Sequence, residues 1–213
     1  MTTVDETRPR GTRMSRPARR VQLLGAAQEI FVAQGYHAAA MDDIAERAGV
    51  SKPVLYQHFP GKLDLYLALL DRHSDALVEA VKGALDSTHD NKQRVAATMQ
   101  AYFDFVDSHG GAFKLVFESD LINEPAVRAR VDRATQQCAE FISALIAEDA
   151  GLPAEESMLL AVGLVGMAQV TARYWVGTAG TIPRDLAAEL VANLSWRGIR
   201  GFPRRDHEPS ATG

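Results

Sequence analysis

Residues 41–62 read MDDIAERAGVSKPVLYQHFPGK, a pattern typical of two short helices joined by a tight turn. The first helix places Ile44 and Ala48 one turn apart on the same face, which predicts that this face is buried. Gly49 follows directly and can adopt the left-handed backbone conformation that ends a helix without a Cβ penalty. The stretch therefore predicts a helix that stops abruptly before a second one begins.

The second helix is expected to start after Ser51, whose hydroxyl is the predicted N-cap, with Pro53 in its first turn. Packing requires only Leu55 and, just beyond the helix, Phe59. The other side chains form an outer face that suits the major groove of DNA. The candidate DNA-binding residues are Ser51, Lys52, Pro53, Val54, Tyr56, Gln57, His58 and Lys62.

Among these candidates, the cationic and phenolic side chains are expected to hold phosphates, and Gln57 to hydrogen-bond a base edge or a phosphate. Pro53 and Val54 are of the right character to touch a thymine methyl. From composition alone, an ordinary solvated helix face is the alternative explanation.

The motif belongs to a longer segment, residues 20–70, whose core IA-x-x-AGVS-x-x-x-LY-x-HF-x-x-K lies at residues 44–62. This segment resembles the N-terminal domain of the TetR family of bacterial transcription regulators. The resemblance implies an all-α protein with an N-terminal three-helix helix-turn-helix domain and a C-terminal helical domain for effector binding and dimerisation. It also implies a homodimer on a palindromic double-stranded DNA operator. Ala39 and Ala40 stand where the family usually has a Thr or Ser that caps the first motif helix, and Gly25 interrupts the first helix of the domain. Each departure is expected to cost about 1 kcal/mol in local helix stability.

Charge and composition predict four segments. We expect a disordered basic arm at 1–15, the DNA-binding domain at 16–63, the effector-binding and dimerisation domain at 64–202 and a loose tail at 203–213. The formal net charge is −4, yet residues 1–63 contain nine Lys and Arg against six Asp and Glu. The basic end is therefore expected to contact DNA. Arginines recur along the arm and into the first helix, where they could follow phosphates or form a solvated leader; they are Arg8, Arg10, Arg13, Arg16, Arg19 and Arg20.

The sequence lacks the residues that several classes of function require. A single cysteine, Cys138, excludes an internal disulfide and a cysteine-rich zinc site, which favours a reducing cytoplasm. The Arg-rich start has no apolar segment typical of a signal peptide. Neither a G-x-S-x-G elbow nor a phosphate-binding loop is present, and no histidines are paired at i, i+4. We therefore expect no catalytic residues, no cofactor and no metal, and an acyl-coenzyme A enzyme or carrier is the remote alternative.

The longest uncharged run, residues 157–172, is shorter than the ~20 apolar residues a membrane span needs, so it predicts a buried helix and no membrane partner. Because that helix is apolar nearly all round, we expect a second subunit to cover one side of it together with the last helix, from about Pro183. Gly163 and Gly166 could allow close helix approach or leave room for a ligand.

Two further stretches, residues 101–127 and 161–175, are similar to the mycobacterial fatty-acid synthase regulators within the TetR family. That resemblance implies a long-chain acyl-coenzyme A effector and control of fatty acid biosynthesis. From the residues, an aromatic set could line an apolar tunnel or form plain core. The candidate effector-binding residues are Met99, Tyr102, Phe103, Phe105, Phe113, Phe117, Phe141, Gly163 and Gly166. A repressor of an efflux or catabolic operon with another small apolar effector is the alternative.

Overall fold

The computed structural model describes residues 14–108, 121, 123–178 and 181–200. These residues form eight helices and contain no strand, which confirms the all-α prediction. The helices are α1 (Arg16–Ala38), α2 (Met41–Arg47), α3 (Lys52–His58), α4 (Lys62–Asp86), α5 (Asn91–Ser108), α6 (Pro125–Ala150), α7 (Ala154–Gly177) and α8 (Arg184–Arg200). The chain divides into two compact units, Met1–Leu65 and Tyr66–Gly213.

In the first unit, glycines with positive φ separate the helices. Gly35 (φ 77°) interrupts α1 near its end, and Gly49 (φ 65°) lies between α2 and α3. Both conformations are accessible to glycine at no steric cost. The apolar faces of α1, α2 and α3 meet in one core, whose most buried members are Leu23, Ala27, Phe31, Ile44, Ala45, Leu55 and Phe59. The sequence predicted the burial of Ile44, Leu55 and Phe59 in this core.

Several helices start without a side-chain hydrogen bond to cap them. Ser51 occupies the N-cap position of α3 as predicted, but its hydroxyl makes no capping hydrogen bond. Helix α6 begins at Pro125 with Glu124 as its N-cap residue, again without a side-chain cap. Pro125 takes the first helical position, where its missing N–H costs little. Ala40 likewise caps α2 without a side-chain hydrogen bond, as its methyl group requires.

In the second unit, α6 packs on α7 and α5 packs on α8. The buried face of α4 carries Leu69, Leu77, Val81 and Leu85. Helix α6 ends at Gly151, which is left-handed (φ 66°) and donates its N–H to the carbonyl of Ala147.

Helix α7 is buried on only one side within this chain, so the prediction of a buried helix holds for that side alone. Ala161 and Ala172 are inaccessible to solvent, whereas Leu159, Val170 and Tyr174 are 74%, 65% and 70% exposed. Helix α7 is long and apolar enough to cross a membrane by length and composition alone, and 28% of its most apolar window is buried within this chain. Helix α8 adds three exposed leucines, Leu186, Leu190 and Leu194. Among the described residues, α7 and α8 thus each expose large apolar side chains of the kind that mark interaction sites.

Candidate DNA-binding surface and effector cavity

Helix α3 turns its packing residues inward and its candidate contact residues outward. Leu55 is fully buried and Phe59, at the C-cap, is 1% exposed. The exposed candidates are Ser51, Lys52, Pro53, Tyr56 and Gln57. Two more, Val54 and His58, are half-buried. The outer face therefore offers polar and small apolar groups of the kind that read a major groove.

Lys52 is held by a neighbour on α2. Its Nζ donates a hydrogen bond to Oδ2 of Asp42, and both side chains are more than half exposed. The hydrogen bond and the charge of Asp42 raise the pKa of Lys52. Such an exposed ion pair contributes only ~0–1 kcal/mol, so a phosphate can replace Asp42 at little cost.

Lys62 lies in a different environment. Its Nζ donates to the carbonyls of Tyr36 (2.8 Å), His37 (3.2 Å) and Ala39 (2.9 Å). These acceptors lie at the end of α1, where carbonyls have no partner within the helix. The ammonium group also lies 4.6 Å from the centroid of the Tyr36 ring. All three of its donors are therefore engaged in holding the connection from α1 to α2, and a phosphate contact would have to displace at least one of them.

Helix α1 also anchors the ends of the two motif helices. Arg20 Nη1 donates to the carbonyl of His58 (3.3 Å), and its guanidinium carbon lies 4.2 Å from the centroid of the Phe59 ring. Gln22 Nε2 donates to the carbonyl of Ala48 (2.9 Å). These contacts satisfy carbonyls at two helix ends and orient α3 on α1.

The same end of α3 is positively charged. Burial, followed by the charges of Arg16, Arg20 and Arg19, lowers the pKa of His58. His58 is consequently neutral near pH 7, and the three arginines supply the cationic surface beside it. The remaining candidate arginines of the arm, Arg8, Arg10 and Arg13, lie outside the described residues.

The second unit contains two neighbouring apolar cavities. The inner cavity has a volume of about 30 Å³ and the outer one about 250 Å³. They share four lining residues, Thr98, Met99, Ile142 and Leu164. The outer cavity is also lined by Arg94 and Asp149, which form an ion pair at 3.3 Å. Because the Asp149 side chain is 38% exposed, this charged pair marks an end that solvent reaches.

Part of the predicted aromatic set lies at these cavities. Met99 lines both of them and Tyr102 lines the inner one. Phe103 and Phe105 are buried and Phe141 is half-buried, but none of the three lines either cavity. These three phenylalanines therefore lie away from the two cavities, and their assignment to an effector tunnel stays a prediction.

The two glycines lie on the exposed side of α7. A Cβ built at Gly163 or Gly166 would meet no atom within 4 Å, and neither residue lines the inner or the outer cavity. This placement favours close approach of another helix over room for a ligand. Phe113 and Phe117 lie outside the described residues.

Sequence reasoning missed most of the polar lining of the inner cavity. Gln169 Nε2 donates to Oγ1 of Thr135 (2.9 Å), and both residues line this cavity together with Cys138. Burial raises the pKa of the Cys138 thiol to about 11, so it stays protonated. Within the described ranges, no three His, Cys, Asp or Glu side chains are grouped to hold a metal ion.

The fold and the surface of α3 together define a helix-turn-helix DNA-binding regulator with a separate helical unit. Comparison with known proteins identifies the family. Residues 23–69 match the family model for bacterial regulatory proteins of the tetR family, and residues 91–198 match the tetracyclin repressor-like C-terminal domain. The chain belongs to the TetR family of transcription regulators.

Relatives and solved structures agree with that assignment. The chain is 49% identical over 194 residues to the HTH-type transcriptional activator FasR of Mycolicibacterium smegmatis, covering 91% of this chain and 89% of FasR. A TetR-like regulator from Rhodococcus sp. RHA1 superposes with a TM-score of 0.72 at 28% identity, over 89% of this chain and 100% of that one. The FadR regulator of Bacillus subtilis in complex with stearoyl-CoA superposes at 0.69 and 18% identity, over 82% and 96%, a likeness of fold. The resemblance inferred from the motif is thereby confirmed.

Proposed function

We propose that this TetR-family regulator is a cytoplasmic homodimer whose operator binding is controlled by a long-chain acyl-coenzyme A, and that it regulates fatty acid biosynthesis. The observation that carries the proposal is the outer cavity of about 250 Å³, apolar along most of its lining and open at a charged end. The 49% identity to the transcriptional activator FasR supports a role in transcription regulation of the same kind.

The cavity suits a molecule with one apolar and one polar end. Leu85, Val95, Leu145 and Ile146 supply apolar walls for an acyl chain. A phosphorylated, hydrophilic coenzyme has to remain at the solvent-exposed end, where an anionic group would compete with Asp149 for the guanidinium of Arg94. Burying each methylene contributes about 0.8 kcal/mol, so chain length is expected to govern affinity until the cavity is full.

For DNA, the proposal assigns α3 to the major groove. Tyr56 and Lys52 contact phosphates, Gln57 contacts a base edge or a phosphate, and Pro53 and Val54 touch apolar base surfaces. The positive end formed by the arginines of α1 adds sequence-independent affinity. Lys62 acts by keeping the motif helices in place, on the strength of its three carbonyl contacts.

The exposed apolar faces of α7 and α8 are assigned to the dimer. A two-fold axis would pair these two helices with their copies in a four-helix contact. Gly163 and Gly166 would then lie where the copies of α7 approach each other. A helix whose side chains are this exposed in one chain gains stability only when a partner covers it.

The test measures operator affinity in the presence of acyl-coenzyme A thioesters of increasing length, after selecting the operator from genomic DNA. Four extra carbons are expected to tighten thioester binding by about 3 kcal/mol until the cavity is full. Met99→Trp should fill the shared wall and abolish the response while keeping operator binding, whereas Ala96→Trp on the exposed side of α5 should respond normally.

The outcomes separate the alternatives. A compact apolar effector would act without dependence on chain length, which would favour an efflux or catabolic regulator. Equal action by short and long chains, or no action, would refute acyl sensing and leave DNA binding intact. Mass spectrometry of the denatured protein provides an independent check, because a co-purified long acyl chain would appear there directly.

A further inference from the structure

Two buried hydroxyl groups at the inner cavity lack a hydrogen-bond partner. Thr98 is 8% exposed and Tyr102 is 4% exposed, and neither Oγ1 of Thr98 nor the Tyr102 hydroxyl finds a partner in the described part of the chain. Both residues line the inner cavity. An unsatisfied buried hydroxyl costs about 1–3 kcal/mol, so two at one cavity require an explanation.

The two groups are presented together. Thr98 and Tyr102 are four residues apart on α5, which places them on the same face one turn from each other. Burial raises the pKa of the Tyr102 phenol above its usual range, so it remains a hydrogen-bond donor at any physiological pH. The cavity volume of about 30 Å³ accommodates one or two water-sized groups.

The nearby polar side chains do not use these hydroxyls. Thr135 accepts a hydrogen bond from Gln169, and the rest of the lining is almost entirely apolar, including Val81 and Val165. The charged pair Arg94 and Asp149 lines the outer cavity only. A ligand whose hydrophilic end stays at that pair therefore brings the remote part of its chain to the two hydroxyls.

We propose that the inner cavity is a subsite for an oxygen substituent on the acyl chain, a hydroxyl or keto oxygen remote from the thioester, bound by Thr98 and Tyr102. This inference rests on the proposed acyl-coenzyme A effector. An unsubstituted chain leaves both hydroxyls unpaired when it fills the cavity, whereas an oxygen substituent accepts from one and pairs with the other. The subsite thus selects oxygenated chains over plain ones of equal length.

The experiment measures calorimetric binding of hexadecanoyl-coenzyme A and of hydroxyhexadecanoyl-coenzyme A isomers, with the hydroxyl at successive distal positions, to the full-length dimer. One isomer is expected to bind about tenfold tighter than the unsubstituted chain, as two neutral hydrogen bonds allow. Tyr102→Phe and Thr98→Val remove only the hydroxyls and should each reduce that preference, because the preferred isomer loses a hydrogen-bond partner while hexadecanoyl-coenzyme A binds no more weakly than before. Thr171→Val removes a hydroxyl that bonds within α7 and should keep the preference.

The outcomes distinguish this inference from the function on which it rests. If all isomers bind no tighter than the unsubstituted chain, or if the preference survives both variants, the subsite is refuted and acyl sensing stands. If no thioester binds at all, both fail. The preference is first measured on the unmodified protein, so an unstable variant does not remove the test.

Discussion

A charge placed on the exposed face of α8 is the strongest test of the proposed dimer. Leu190 is 53% exposed in the single chain, so about half of its side chain remains to be covered by a partner. Full burial of a leucine contributes roughly 1.5–3 kcal/mol, and the uncovered half therefore accounts for about 0.8–1.6 kcal/mol. Two-fold symmetry doubles this to about 1.6–3.2 kcal/mol per dimer.

Leu190→Ala should accordingly raise the dimer dissociation constant about 15- to 200-fold, since each 1.4 kcal/mol corresponds to a factor of ten. Leu190→Asp should prevent dimerisation at micromolar concentration, because it also places two unpaired carboxylates in an apolar contact. Sedimentation velocity over a range of concentrations measures both. Val165 is only 6% exposed and packs within its own subunit, so Val165→Asp should unfold the second unit instead of giving monomers.

The matched control is Val32→Asp. Val32 is 48% exposed on α1 of the first unit, and its substitution should leave the dimer intact. A Leu190→Asp variant that still sediments as a dimer, together with a dimeric Leu194→Asp variant, would show that the subunits meet elsewhere. The exposed face of α7 would then need another partner.

Three further predictions concern the first unit. Lys62→Met should lower the free energy of unfolding by about 2 kcal/mol, because three charge-assisted hydrogen bonds to carbonyls are lost, whereas Lys82→Met removes one exposed ion pair and should cost under about 1 kcal/mol in urea titrations. Tyr56→Ala should weaken operator binding about tenfold with unchanged thermal stability, since its side chain is 47% exposed; unaltered affinity would remove Tyr56 from the contact surface. The pKa of His58 lies below its usual 6.5 and phosphates would raise it in the complex, so DNA binding takes up a proton and tightens as pH falls through the His58 pKa of the complex. The uncomplexed domain instead loses stability as pH falls below about 6.5, because His58 protonates first in the unfolded chain. His58→Gln should abolish this pH dependence of operator affinity, and His89→Gln should not.

The helix-turn-helix was predictable nearly to the residue because its signals are local. Gly49 adopts the positive φ angle predicted for the turn between α2 and α3, and Pro53 falls in the first turn of α3. Such signals depend on the backbone of one or two residues and need no knowledge of the tertiary fold. The role of Lys62 was not available in this way, since its acceptors lie 23 to 26 residues earlier in the chain.

From the sequence, the proposed dimer face could be predicted only as a requirement that something cover α7. Periodicity shows that α7 is apolar on all sides, so something must cover each side, but it does not show which side the chain itself covers. The structure divides the helix, with Ala161 and Ala172 inside and Leu159 and Val170 outside. That division also places Gly163 and Gly166, whose role the sequence left open between helix approach and ligand room.

The aromatic set shows why the effector site was harder to predict. Spacing identifies the side chains of α5 that face inward, and Phe103, Phe105 and Tyr102 all do. It cannot show whether an inward side chain meets a neighbour or empty space, because that depends on the volumes supplied by other helices. Phe103 meets the ring of Trp175, with centroids 5.7 Å apart, whereas Tyr102 meets a cavity.

Hydroxyl groups on an apolar face are the residues for which this distinction matters most. Thr98 is as buried as a core residue, and its hydropathy alone would class it as an ordinary member of the buried face of α5. A buried hydroxyl, however, needs hydrogen-bond partners as a donor and as an acceptor. The hydroxyls of Thr98 and Tyr102 have none within the described chain. An acyl chain that reached this point as plain hydrocarbon would bury the same two groups without relieving them. Selectivity among effectors should therefore depend on the oxygen that such a chain carries at the far end of the cavity as well as on its length.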